Sequence, residues 1–176
     1  MEILTKEYIK ENVMPIIGIV AKSKDIQIIR KDINNCDIKL IEITENSIRN
    51  LKNIKFDEII FLENINIKDE TYKYMEDILS KVNYLIINMD IPIDTFRKIK
   101  IKKPIKLITF GFNAKATITI SSVKHDKIII FLQREIQKSD KSILEIQEKE
   151  LKISAQKSKK IYNNLTVFII KELHNL

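Results

Sequence analysis

The strongest constraint on the fold is a succession of short, nearly continuous apolar runs rich in β-branched residues. They are PIIGIV (15–20), IKLIEI (38–43), DEIIFL (57–62), NYLIIN (83–88) and IKLITF (105–110). Such runs are the pattern of strands buried on both faces. The segments between them have helical spacing instead. KDETYKYMEDILSKV (68–82) sets Tyr72, Met75, Ile78, Leu79 and Val82 on one stripe, with acidic residues early and a lysine late, as the helix dipole favours. TENSIRNLKNI (44–54) opens on Thr44, a capping residue, and repeats Ile48, Leu51 and Ile54 at three-residue steps. MPIIGIVAKSKDIQIIRKDI (14–33) passes from a strand through a small-residue turn into a helix. Strands alternating with helices predict a parallel sheet joined by right-handed crossovers.

After residue 110 the pattern changes. ATITISSV (116–123) alternates, KHDK (124–127) is a turn and KIIIFLQREI (127–136) follows, which predicts an antiparallel hairpin. SILEIQEKELKI (142–153) adds a further strand. SKKIYNNLTVFIIKELHNL (158–176) carries Ile161, Leu165, Phe168, Ile169 and Leu173 as a closing helical stripe. No Gly/Ser linker, repeat or low-complexity block interrupts the 176 residues, so residues 1–176 are expected to form one domain with its core at about 14–173. The expected fold is a single Rossmann-like or P-loop-like α/β domain. It has a mostly parallel sheet, flanking helices, a C-terminal antiparallel hairpin and a closing helix.

Composition removes several function classes. With 44% hydrophobic and 31% charged residues the chain has the balance of a globular protein rather than a disordered one. Cys36 stands alone, so it builds neither a disulfide framework nor a cysteine metal cluster within one chain. The opening MEILTKEYIKEN lacks a signal-type apolar core, and no stretch approaches the roughly 20 apolar residues of a membrane span; a cytoplasmic protein is the expectation. The net charge of +7 includes RKIKIKKPIK (97–106) and KSKK (157–160), which would attract nucleic acid, a membrane surface or anionic cell-wall precursors. The alternation of Lys with Ile and the lack of interleaved aromatics fit lysines that face water better than a nucleic-acid surface. His125 and His174 have no partner at metal-ligand or triad spacing and read as surface residues.

Three stretches in this order resemble the central ATPase domain of the Mur ligases, the ATP-dependent amino-acid-adding enzymes of bacterial peptidoglycan synthesis. IIGIVAKS resembles the strand and phosphate loop that open that domain. IEITENSIRNLKNIKFDEIIFLENI (41–65) resembles its strand with a magnesium-binding glutamate, the next helix and the strand before a Thr-Asn-hydrophobic motif. VNYLIINMDIP (82–92) with IKLITFGFNAKATITISSV (105–123) resembles its Asn-x-Asp turn, Thr-(Phe/Tyr)-Gly strand and β-hairpin. IYNNL in the last helix is similar to the family's Asn-Ala-Leu signature. The family's N-terminal nucleotide-sugar domain and C-terminal amino-acid-binding domain have no counterpart in this sequence.

The resemblance implies ATP and magnesium as cofactors and places candidate contacts on Gly18, Lys22, Ser23, Asn88 and Asp90, with Glu42 as the magnesium ligand. The residues leave two alignments open. In one, Gly18-Ile19-Val20-Ala21-Lys22-Ser23 is the family's G-x-x-G-K-[ST] loop with its second glycine replaced, so that a methyl intrudes on the phosphate. In the other, Gly18 belongs to an uninterrupted strand and Lys22 and Ser23 are turn residues. Glu42 follows Lys22 too closely for the family's intervening helix, strand and substrate loops, and is otherwise an acidic residue at a strand end. Asn64, Asp69 and Lys81 fall where the family has an Asp-His motif and a carbamylated lysine, but there is no histidine. Asn88 and Asp90 near the adenine and ribose are equally explained by turn chemistry before Pro92.

The expectation is a non-catalytic binding or regulatory module, a pared-down Mur ligase central domain with a degenerate phosphate loop and a nucleotide-like pocket, which pairs with itself or with a ligase-like protein. The alternatives are an ATP-dependent ligase-type enzyme completed by another chain, and a basic nucleic-acid-binding domain.

Overall fold

Strand β1 (Ile16–Val20) lies between β2 (Lys39–Glu42) and β3 (Glu58–Phe61), parallel to both. The computed structural model describes residues 14–92, 96, 98–153 and 160–176. Beyond β3 come β4 (Tyr84–Asn88), β5 (Lys106–Gly111) and β6 (Ile118–Val123), all parallel, then β7 (Lys127–Leu132) and β10 (Gln147–Lys152), each antiparallel to its predecessor in the sheet. The eight-stranded order is β10-β7-β6-β5-β4-β3-β1-β2. The run 127–136 divides, because Gln133 turns aside and its N–H bonds the Thr117 carbonyl at 2.9 Å. Past it, β8 (Ile136–Gln137) and β9 (Ile143–Leu144) form a separate small hairpin.

Among the described residues four helices cover the two faces. α1 (Ser23–Asp32) and α4 (Ile161–His174) bury Ile26, Ile29, Leu165, Ile169 and Ile170 against Ile17, Ile19, Ile60, Ile86, Phe110 and the inner side of β6 and β7. α2 (Glu45–Leu51) and α3 (Tyr72–Leu79), the latter led by a 3₁₀ turn at Asp69–Thr71, bury Ile48, Met75, Ile78 and Leu79 against Ile59, Phe61 and Leu85. Thr44 caps α2 as its sequence predicts: its hydroxyl accepts from the Ser47 N–H at 3.2 Å and the Ser47 hydroxyl accepts from the Thr44 N–H at 2.8 Å. On the α2/α3 side, Leu107 of β5 and Phe131 of β7 stand exposed at 55% and 41%.

β5 and β6 are parallel neighbours joined without a crossover helix, which is unusual because a parallel return normally takes a dozen or more residues. It is achieved by stagger. β6 starts level with the end of β5, pairing Phe110 with Ile118 and Gly111 with Thr119, and then runs on beyond it. Below the overlap side chains replace main chain. The Thr117 N–H donates to Thr109 Oγ1 at 2.9 Å and the Thr109 N–H donates to Thr117 Oγ1 at 3.2 Å. No helix of the described residues is long and apolar enough to cross a membrane. Arg97, Lys157, Lys159 and the first 13 residues lie outside the described residues.

Candidate functional site

The chain leaves β1 toward β2 on one side, while β3, β4 and β5 follow on the other, so the order reverses between β1 and β3. At such a switch point the connections diverge and open a crevice at the carboxyl ends of the strands, where α/β folds bind ligands. Lys22 and Glu63 stand on either side of it. Lys22 Nζ lies 3.0 Å from Glu63 Oε1, and this hydrogen bond, reinforced by the opposite charge, raises the lysine above its ordinary pKa. Beside them Ser23 Oγ donates to Glu42 Oε1 at 3.1 Å across the ends of β1 and β2.

Behind Lys22 the first turn of α1 is tied to the first turn of α4. Asp25 Oδ1 accepts from Lys160 Nζ at 2.8 Å and from Asn163 Nδ2 at 2.9 Å. Burial opposes ionisation of Asp25, but these two hydrogen bonds and the charges of Lys160 and Lys22 outweigh it and hold the carboxyl below its ordinary range. Between the helices is a cleft of about 150 Å³ lined by Asp25, Leu62, Glu63, Lys160, Tyr162 and Asn163.

Tyr162 connects this cleft to the end of β4. Its hydroxyl donates to Asp90 Oδ2 at 2.9 Å, and the same carboxylate accepts the Phe112 N–H at 2.6 Å and the Asn113 N–H at 3.0 Å. The buried Asn88 holds the turn from below, its Oδ1 accepting the Asp90 N–H at 3.0 Å. The tight fit depends on Gly111, at φ +144°, where a Cβ would come under 3.0 Å from both carboxyl oxygens of Asp90. Burial of the ring and the hydrogen bond to the Asp90 carboxylate push the Tyr162 phenol up to about 12.

The structure therefore brings Lys22, Ser23 and Glu42 together at one end of the sheet and sets Asn88 and Asp90 on the far side of the same crest. Gly18 is elsewhere. β1 runs unbroken through it, as in the second of the two alignments, and a Cβ there would lie 2.5 Å from Ile43 Cδ1 and 3.2 Å from the Phe56 ring. Its role is close packing of the strand on the α2/α3 core. The connection to α1 is only Ala21 and Lys22, with Lys22 extended at φ −64° and ψ 139° and no side chain capping the helix.

That turn is too short to wrap a phosphate in successive N–H groups. Ser23 and Glu42 offer two adjacent oxygens, which is the protein's share of a magnesium site only when a ligand's phosphates complete it. Among the described residues no group of three or more His, Cys, Asp or Glu side chains could hold a metal ion. Lys81 donates to the Lys52 carbonyl at 2.8 Å and Asp69 pairs with Lys98 at 3.1 Å.

Sequence reasoning did not single out Asp25, Glu63, Lys160, Tyr162 or Asn163. The signals for them were the IYNNL stretch, which carries Tyr162 and Asn163, and the basic KSKK stretch, which ends on Lys160.

His174 corrects the surface reading. Its side chain is only 9% exposed, and Nε2 lies 2.8 Å from Oε1 of the fully buried Glu58, at the amino ends of the strands. Burial raises the Glu58 pKa, while His174 beside it pulls it back. His125 is exposed in the β6–β7 turn. No protein-family model and no curated protein matches this sequence.

Proposed function

We propose that the chain is a non-catalytic binding or regulatory module, a pared-down relative of the Mur ligase central domain whose nucleotide-type crevice survives in outline. The observation that carries this reading is the pairing of the crevice cations inside the protein. Lys22 is held by Glu63 and Lys160 by Asp25, while a two-residue turn stands where a phosphate cradle would be needed. A lysine that already donates to Glu63 at 3.0 Å offers a phosphate a partly compensated charge. The crest is thus arranged to hold helices α1 and α4 in place and to present a preformed polar surface, rather than to turn over ATP.

The ligase-type alternative rests on one contact, Ser23 with Glu42 at 3.1 Å, a pair able to share a magnesium ion with bound phosphates. Magnesium-dependent ATP hydrolysis and thermal unfolding with magnesium-ATP separate the two readings. A ligand at 100 times its dissociation constant stabilises the folded state by about 2.7 kcal/mol, so binding is readable. The expected result is no hydrolysis above that of buffer. Hydrolysis abolished by Lys22→Ala would overturn the module reading in favour of the enzyme.

A further inference from the structure

The opposite end of the sheet holds a second, larger cleft of about 470 Å³ at the amino ends of β3, β4 and β5. That size is typical of small-molecule sites. Its walls carry Lys103 and Lys106 from the segment entering β5, Lys138 and Lys141 from the β8–β9 hairpin, and His174 from the end of α4. The basic run of the sequence is therefore not spread evenly over water. Lys98 goes to Asp69, while Lys103 and Lys106 meet two lysines from more than thirty positions further along the chain.

Two features distinguish this cleft from a solvated charge run. The first is the state of its cations. Lys106 Nζ donates to the Tyr84 hydroxyl at 3.3 Å and Lys138 to Asn175 Oδ1 at 2.9 Å, with Glu172 3.5 Å away. Lys103 and Lys141 are exposed, and neither has an ion-pair partner among the described residues. The acidic groups nearby are already engaged: Asp57 Oδ2 accepts the Ile16 N–H at 2.9 Å, and Asp140 accepts from Ser142 at 2.6 Å and from Asn175 at 3.0 Å.

The second is backbone strain. Lys141 adopts φ +74°, a conformation in which glycine or asparagine costs least. It does so in a closed turn, with the Lys138 N–H on the Ser142 carbonyl at 2.7 Å and the Ser139 N–H on the Leu173 carbonyl at 3.0 Å. The hairpin is thereby fixed to α4, and a residue poorly suited to the conformation of its tip adds a second cation from the hairpin to the cleft.

The geometry points to a binding site for the phosphate groups of a small polyphosphorylated ligand, held by Lys103, Lys106, Lys138 and Lys141. Nucleic acid fits less well. Tyr84, the aromatic residue of the cleft, is 4% exposed and lies under Lys106 with Nζ 4.9 Å from the ring centre, which leaves no platform for base stacking.

Calorimetric titration with inorganic triphosphate at low salt tests the site, with ATP titrated in parallel to separate recognition of phosphates alone from recognition of a nucleotide. The expected result is saturable one-to-one binding of triphosphate that weakens about tenfold in Lys141→Gly and in Lys103→Ala, the loss of one charge-assisted contact each. Lys141→Gly relieves the strained turn, so its thermal midpoint should be equal or higher; weaker binding by a more stable protein excludes misfolding as the cause. Lys22→Ala should leave triphosphate binding unchanged. A nucleotide response kept in Lys22→Ala and lost in Lys141→Gly belongs to this cleft and leaves the β1/β3 crevice reading standing. Absence of triphosphate binding, binding indifferent to both cleft substitutions, or binding of single-stranded RNA that triphosphate does not displace would overturn the proposal.

Discussion

Asp90 occupies the space that a side chain at Gly111 would need: a Cβ there would fall under 3.0 Å from the carboxyl carbon and both oxygens. Because that carboxylate ties the end of β4 to the Phe112 and Asn113 N–H groups and to Tyr162, Gly111→Ala must break the junction as well as strain a backbone at φ +144°. A loss of about 3 kcal/mol is expected. Urea unfolding measures it, and a loss within 0.5 kcal/mol, roughly the surface-substitution range, would show that the junction rearranges freely.

The Tyr162 phenol, pushed up to about 12, favours the folded state as long as it keeps its proton. Its contribution is complete below its ordinary value of 10.0 and is lost as pH rises toward the folded value. The stability difference between the protein and Tyr162→Phe should therefore shrink between about pH 9 and pH 12. A constant difference across that range would remove the Asp90 hydrogen bond from the account.

Gly18→Ala tests the unbroken strand. The added methyl meets the Phe56 ring and the end of the Ile43 side chain inside a packed core, at a cost of about 1–3 kcal/mol. It should leave the contacts of Lys22 untouched. A glycine lining a phosphate loop would instead tolerate alanine in stability and lose ligand.

Asp25 has the opposite pH signature. Its carboxyl lies below the ordinary 3.8, so its pairing with Lys160 and Asn163 contributes fully above that value and is lost as pH falls through the depressed one. The stability difference between the protein and Asp25→Asn should be constant near pH 6 and should close below about pH 4. The measurement is the denaturation midpoint as a function of pH.

Glu58 is a buried acid with a raised pKa, so it stabilises the fold when protonated and this contribution falls as pH rises through the folded value. Glu58→Gln should match or exceed the parent protein in stability at about pH 8, with its advantage shrinking toward about pH 4. His174→Ala, which strands the carboxylate, should lose about 3 kcal/mol at neutral pH. Marked destabilisation by Glu58→Gln at high pH would overturn the assignment.

The elements were legible because each is announced locally. Each of the five apolar runs contains a strand, Thr44 caps its helix, and the stripe on α3 puts Met75, Ile78 and Leu79 in the core. Sheet order was not legible, and with it the crevice. Nothing near Asp25 in the chain says that its partners are Lys160 and Asn163, and nothing near Lys22 says that Glu63 will neutralise it. His174 misled for the same reason: its partner Glu58 lies on a strand whose apolar neighbours conceal it. The division at Gln133 escaped because an apolar run does not record a hydrogen bond to Thr117.

α4 follows every strand in chain order, yet it lies against β1, β3 and β4 and grips α1 through Asp25. During synthesis, Ile17, Ile60, Ile86 and Phe110 therefore emerge long before the second of the two helices that cover them, with α1 alone on that face in the meantime. The part of that face that α1 does not reach remains sticky until residues 161–174 appear, which makes this stage of translation the interval in which a chaperone has most to cover and an aggregate most to gain.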